Sequence, residues 1–113
     1  MTISTRDIGK VTVLDLNGRL VLGDATAALR EGVRNLLANR KKAILLNVKG
    51  VPFIDSCGIG ELVGALTAVR KQGGELKLLN LGRAVHSVLE ISRLYTVFET
   101  YEDEAKAASS FNQ

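Results

Sequence analysis

The sequence predicts one α/β domain over residues 1–113, with a mixed, mostly parallel sheet and about four helices, and three observations carry this reading. Ala43-Ile44-Leu45-Leu46-Asn47-Val48 is a nearly continuous apolar run too short for a typical helix, which is how a strand covered on both faces reads. From residue 43 onward strand and helix patterns alternate, which calls for parallel neighbours joined by right-handed crossovers. Two short alternating segments before residue 18 read as a hairpin that adds an antiparallel strand. No internal repeat, low-complexity segment or linker divides the chain.

In order, Thr2 to Asp7 is a strand, Ile8-Gly9-Lys10 a turn, and residues 11 to 17 a second strand with Val11, Val13 and Leu16 alternating against polar positions. After Asn17-Gly18, Arg19-Leu20-Val21-Leu22 reads as a brief edge segment broken by Gly23-Asp24. Asp24 is expected to cap a helix over about 25–39, since Ala25, Leu29, Val33, Leu36 and Leu37 recur at helical spacing. The strand at 43–48 takes the centre of the sheet. A second helix runs from Ser56 to about Lys71 with Ile59, Leu62, Val63, Leu66 and Val69 on one face. The small residues Gly60, Gly64, Ala65 and Ala68 among them are expected to allow close packing on the sheet. Glu75 to Leu81 is the next strand, a short helix opens at Gly82-Arg83, and Tyr95 to Thr100 reads as a last strand. Thr100 with Asp103 has capping-box spacing, so a terminal helix is expected over Glu102 to Ser110.

Composition narrows the chemistry. The chain of 113 residues is 46% hydrophobic but holds only two tyrosines and three phenylalanines, so aliphatic side chains must fill the core. The net charge of +3 is concentrated at Arg40-Lys41-Lys42, just past a helical pattern and without interleaved aromatics. That placement fits cations at the negative end of a helix dipole and argues against direct nucleic-acid binding. One cysteine, Cys57, makes no internal disulfide and fits a reducing compartment. With no signal-like stretch and no apolar run near the ~20 residues needed to span a bilayer, a cytoplasmic protein without membrane insertion is expected.

The chemistry-bearing stretch is Val51-Pro52-Phe53-Ile54-Asp55-Ser56-Cys57-Gly58-Ile59-Gly60-Glu61-Leu62. It reads as a loop entering a helix, with Ser56 as the expected cap and Gly58 and Gly60 leaving the first turn open to a partner's backbone or a phosphate. Catalytic readings fit poorly. A nucleophile elbow needs glycine two residues before Ser56, where Ile54 stands. A dinucleotide fingerprint from Gly58-Ile59-Gly60 lacks its third glycine, at Val63. Cys57 reads more simply as a small buried or half-buried residue than as a nucleophile served by His86, the one histidine, which reads as a surface or boundary residue. One Cys and one His give no metal-ligand spacing, and no cofactor is expected. Two readings of Ser56 stay open: a helix cap, or a hydroxyl that accepts a phosphoryl group beside Asp55 and the helix N–H groups.

At Phe53 to Gly60, and at Gly18-Arg19-Leu20 followed by Gly23-Asp24-Ala25, the sequence resembles the STAS domain family, named for sulphate transporters and anti-sigma factor antagonists. The resemblance covers nearly the whole chain, including the order of strands and helices. It implies an anti-sigma factor antagonist that is not itself an enzyme. By the resemblance, Ser56 matches the serine phosphorylated by an anti-sigma factor that is an ATP-dependent serine kinase. Asp24, Asp55, Ser56, Cys57, Gly58, Ile59 and Gly60 match the partner-binding surface. The unphosphorylated form is expected to bind the anti-sigma factor and free the sigma factor, and a serine phosphatase to reset it. A non-switching scaffold in a stress-signalling complex, or a partner subunit of a lipid transporter, is the alternative that the family allows. Two positions depart from the family pattern: Cys57 where a second hydroxyl is usual, and Asn47 where an aspartate is frequent.

Overall fold

The computed structural model describes residues 1–111. β1 (Thr2–Ile8) and β2 (Val11–Asn17) form the expected antiparallel hairpin, with Thr5 opposite Leu14 and Ile8 opposite Val11. β2 then pairs in parallel with β3 (Ala43–Gly50), β3 with β4 (Glu75–Leu79), and β4 with the short β5 (Thr100–Tyr101), so strand order follows chain order. β3 is the middle strand: Leu45 stands between Val13 and Lys77.

Strands laid side by side in chain order, with crossovers of one hand, send every crossover helix to the same face. There α1 (Asp24–Ala38), α2 (Ser56–Lys71) and α3 (Arg83–Ile91) bury Leu29, Val33, Leu62, Leu66, Val85 and Leu89 against Leu14, Leu16, Ile44, Leu46, Leu76 and Leu78. Among the described residues the other face receives only α4 (Glu104–Ser110), whose Ala107 and Ala108 sit on Val11, Val13, Leu45 and Leu79.

Polar side chains fasten α4 where its apolar contact is small. Arg6 on β1 donates to Asp15 at 2.7 Å and also to Glu104 in the first turn of α4. Lys77, 5% exposed, donates to Oγ and the carbonyl of Ser110 at 2.9 and 3.2 Å and pairs with Glu99 at 3.1 Å. Beyond α4 this face is polar. Asn47 Nδ2 donates to Asp15 at 2.7 Å, while its Oδ1 accepts from Asn80 at 3.1 Å. An ionised aspartate at position 47 could not donate to Asp15 and would repel it, which gives Asn47 a positive role in this chain.

The structure corrects several boundaries. Of Arg19–Leu22 only Leu20 pairs, through a parallel bridge to Ile54. Tyr95 to Phe98 is not strand: the backbone after α3 is used in turns, with Leu94 N–H bonded to the Leu89 carbonyl and Val97 N–H to that of Leu94. Sheet pairing starts only where the Glu99 carbonyl accepts from Leu78 N–H. β4 stops at Leu79, where Asn80 takes φ 60°, a left-handed conformation that turns the chain out of the strand, although its N–H still donates to the Tyr101 carbonyl at 2.8 Å. Asp103 itself caps α4, accepting from Lys106 N–H at 2.9 Å, so that helix starts at Glu104 rather than 102. Gly23, not Asp24, is the capping position of α1, and the Thr26 hydroxyl accepts from its N–H at 3.2 Å.

Candidate functional site

Beyond the ends of β2 and β3 the two strands continue side by side as loops. Gly18 N–H donates to the Gly50 carbonyl and Leu20 N–H to the Phe53 carbonyl, both at 2.9 Å, and Asp55 N–H donates to Leu20 O at 3.3 Å. This zipper sets the N-termini of α1 and α2 next to one another at the edge of the three-helix layer. Asp24 is exposed in the first turn of α1, and Ser56 and Cys57 are exposed in the first turn of α2.

The cap of α2 is Asp55, and the expectation that Ser56 fills that role is overturned. Asp55 has the extended backbone of a cap, φ −103° and ψ −177°, and its Oδ1 accepts from Gly58 N–H at 2.7 Å. Its second oxygen accepts from Leu22 N–H at 3.1 Å and so bolts the other loop to α2. The Gly58 and Leu22 N–H groups together hold the Asp55 carboxyl below the usual carboxylate range. Ser56 is thereby the first helical residue, exposed, and no hydrogen bond engages its hydroxyl among the described residues. A phosphoryl group on that oxygen would sit at the positive end of a helix of 16 residues, next to an ionised Asp55.

The neighbouring positions divide. Gly58 and Ile59, expected at the partner surface, are both buried. A β-carbon at Gly58 would run into the Leu20 carbonyl and stand 2.7 Å from Ile54, so Gly58 is what lets the two loops close. Gly60 and Gly64 face open space and do not pack on the sheet as expected. Cys57 is exposed rather than buried, because the first turn of α2 presents it outward. His86 is half-buried on α3, edge-on to Tyr95 with ring centroids 5.2 Å apart and 3.6 Å from Glu90, which fits a boundary residue. No cluster of three or more His, Cys, Asp or Glu able to hold a metal occurs among the described residues.

Sequence reasoning missed the apolar flank of the site. Leu22 is 73% exposed and Phe53 46% exposed, with the Arg19 guanidinium 5.0 Å over the Phe53 ring. Both stand in the zipped loops, one on each, beside Asp55. Exposed apolar side chains grouped on one surface and rimmed by polar residues mark contact sites, whereas isolated ones do not. The sequence signs were the apolar character of Phe53 in a loop-like stretch and of Leu22 at the end of a segment that reads as a brief edge strand.

The sequence profile of the STAS domain matches residues 2–107. A relative described as an anti-sigma F factor antagonist, from Paenibacillus polymyxa, is 31% identical over 64 residues, which are 57% of this chain and 55% of that protein. The chain thus spans about half the length of that relative. The crystal structure of an anti-sigma factor antagonist from Mycobacterium paratuberculosis superposes with a TM-score of 0.82 at 21% identity, covering 99% of this chain and 94% of that one. The Bacillus cell fate determinant SpoIIAA in its phosphorylated form superposes with a TM-score of 0.72 at 21% identity, covering 96% and 98%. With the profile spanning nearly every element of the sheet and its helices, this chain belongs to the STAS domain family.

Proposed function

We infer that this chain is an anti-sigma factor antagonist whose unphosphorylated form docks an anti-sigma factor, and that phosphorylation of Ser56 releases that partner. The observation that carries this is the division of labour at the start of α2. Asp55 does the capping, so the exposed Ser56 hydroxyl is left with no structural duty. The name of the Paenibacillus polymyxa relative and the existence of a phosphorylated SpoIIAA of the same fold support the reading.

In this mechanism Leu22 and Phe53 supply the apolar contact and the Ser56 turn meets the partner. The partner is a serine kinase that brings ATP and the base. Ser56 Oγ forms a bond to the γ-phosphorus, the bond to the departing ADP breaks, and the hydroxyl proton passes to the kinase. The product adds about −1.5 to −2 charges at neutral pH. Helix N–H groups at Ser56 stabilise the phosphate, so the domain stays folded. The docked surface does not tolerate it, because the phosphate must be desolvated beside Asp55 and near the α1 terminus that carries Asp24. A serine phosphatase hydrolyses the ester and restores the docking form. The domain is the substrate of both enzymes and catalyses neither step.

The test is the affinity of the anti-sigma factor for three proteins: wild type, Ser56→Ala and stoichiometrically phosphorylated chain. Wild type and Ser56→Ala should bind alike, with phosphorylated chain at least about tenfold weaker, a difference of ~1.4 kcal/mol. Equal affinity in all three would sink the switch, and a chain that binds but is never phosphorylated would favour the scaffold alternative.

A further inference from the structure

Two helical turns beyond Ser56, the surface between α1 and α2 is not closed. A groove of ≈ 240 Å³ runs there, with Val33, Leu37, Ala65 and Ala68 among its lining residues. One wall lacks side-chain bulk, since Gly64 of α2 faces open space, as does Gly60 one turn earlier. Glycine inside an exposed helix is unfavourable, and neither position has a packing neighbour that requires it. The rim is basic in a specific way. Arg30 is already neutralised across the groove by Glu61, at 2.7 Å. Arg34, one turn further along α1, lines the same groove, is exposed and has no ion-pair partner among the described residues.

Resting on the reading above, we propose that this groove is a second docking site for the same anti-sigma factor, occupied by an acidic amphipathic helix of that partner. A groove bounded by two helices, with the bare backbone of Gly64 on its wall facing open space, leaves room for a third helix to approach. The apolar lining takes its nonpolar face, and Arg34 takes a carboxylate that none of the described residues supplies. Along α2 Gly64 lies eight residues after Ser56, a rise of about 12 Å, within the reach of one contiguous interface. The groove therefore holds the partner at a place the phosphate does not touch. It sets how tightly the kinase grips, while Ser56 sets whether it stays.

The experiment titrates the anti-sigma factor into wild type, Arg34→Glu and Gly64→Leu, each also in the Ser56→Ala background, with thermal melts of every variant. Arg34→Glu should weaken binding about tenfold in both backgrounds, with the loss shrinking at high salt because the lost contact is ionic. Gly64→Leu should raise the melting temperature, since leucine is a better helix former and meets open space, yet weaken binding about tenfold by filling the groove. Wild-type affinity in both variants overturns the proposal, and so does a dimer of this chain that Gly64→Leu dissociates, because the occupant is then a second copy. Loss of discrimination by phosphorylated chain, with Arg34→Glu still weak, would remove the switch and leave the groove standing.

Discussion

Gly58 and Gly60 are neighbours on α2 with opposite constraints, and substitution separates them. At Gly58 a methyl group meets the Leu20 carbonyl and Ile54, so Gly58→Ala must spread the zipped loops and should cost about 1–3 kcal/mol. At Gly60 it meets nothing, so Gly60→Ala should stabilise by roughly 0.5–1 kcal/mol through helix propensity. Urea or thermal melts of the two variants test this, and similar changes at both sites would contradict the placement. The sequence identified this turn because a hydroxyl, an acid and two glycines stand at a helix start, but it misassigned the cap. Asp and Ser are equally good caps, and they are adjacent here. What decides for Asp55 is its second oxygen, which accepts from Leu22 N–H across 33 residues of chain. No local pattern encodes that contact.

At the scale of elements, the middle strand has the most to lose. Leu45 and Leu46 are both 0% exposed, yet they belong to different layers, Leu45 under α4 and Leu46 under the three crossover helices. Either Leu→Asp change places an unpaired carboxylate in a dry layer and should cost several kcal/mol, enough to unfold a domain of ordinary stability. A soluble Leu45→Asp or Leu46→Asp chain that melts cooperatively near wild type would refute this two-sided burial. The same two-sidedness made β3 legible, because a strand covered on both faces cannot alternate. Tyr95 to Phe98 misled for the complementary reason: its aromatic and β-branched residues suit a strand, but Phe98 enters the core from a turn. The tertiary contact, not the propensity, decided. Lys77 was hidden likewise, since a lysine in an alternating strand reads as solvent-facing, whereas here it anchors the last turn of α4.

At the scale of the whole molecule, four carboxyl groups tie separate elements together and all four are held below the usual range. The Thr12 hydroxyl and Lys41 depress Asp7, which joins β1 to the segment after α1. Arg6 depresses both Asp15 and Glu104, with Asn47 adding to the effect on Asp15, and so fastens the hairpin to α4. The Gly58 and Leu22 N–H groups depress Asp55, which locks the loops at the start of α2. A carboxyl with a depressed folded pKa binds fewer protons folded than unfolded. Its contribution is therefore complete above the unfolded values, about 3.9 for Asp and 4.3 for Glu, and is lost as pH falls through the folded ones. The melting temperature should thus begin to fall near pH ~5 and drop most steeply below pH ~4. Because Arg6 and its partners are partly exposed, added salt should weaken that share at neutral pH and leave the Asp55 share, which rests on backbone donors, nearly unchanged. Asp55→Asn keeps a capping oxygen for Gly58 but cannot lose a charge, so its melting temperature should start lower and decline less between pH ~5 and pH ~3. Thermal melts of both proteins across that range are decisive: parallel curves would show that Asp55 is not linked to folding, and a flat wild-type curve would remove all four groups from the account.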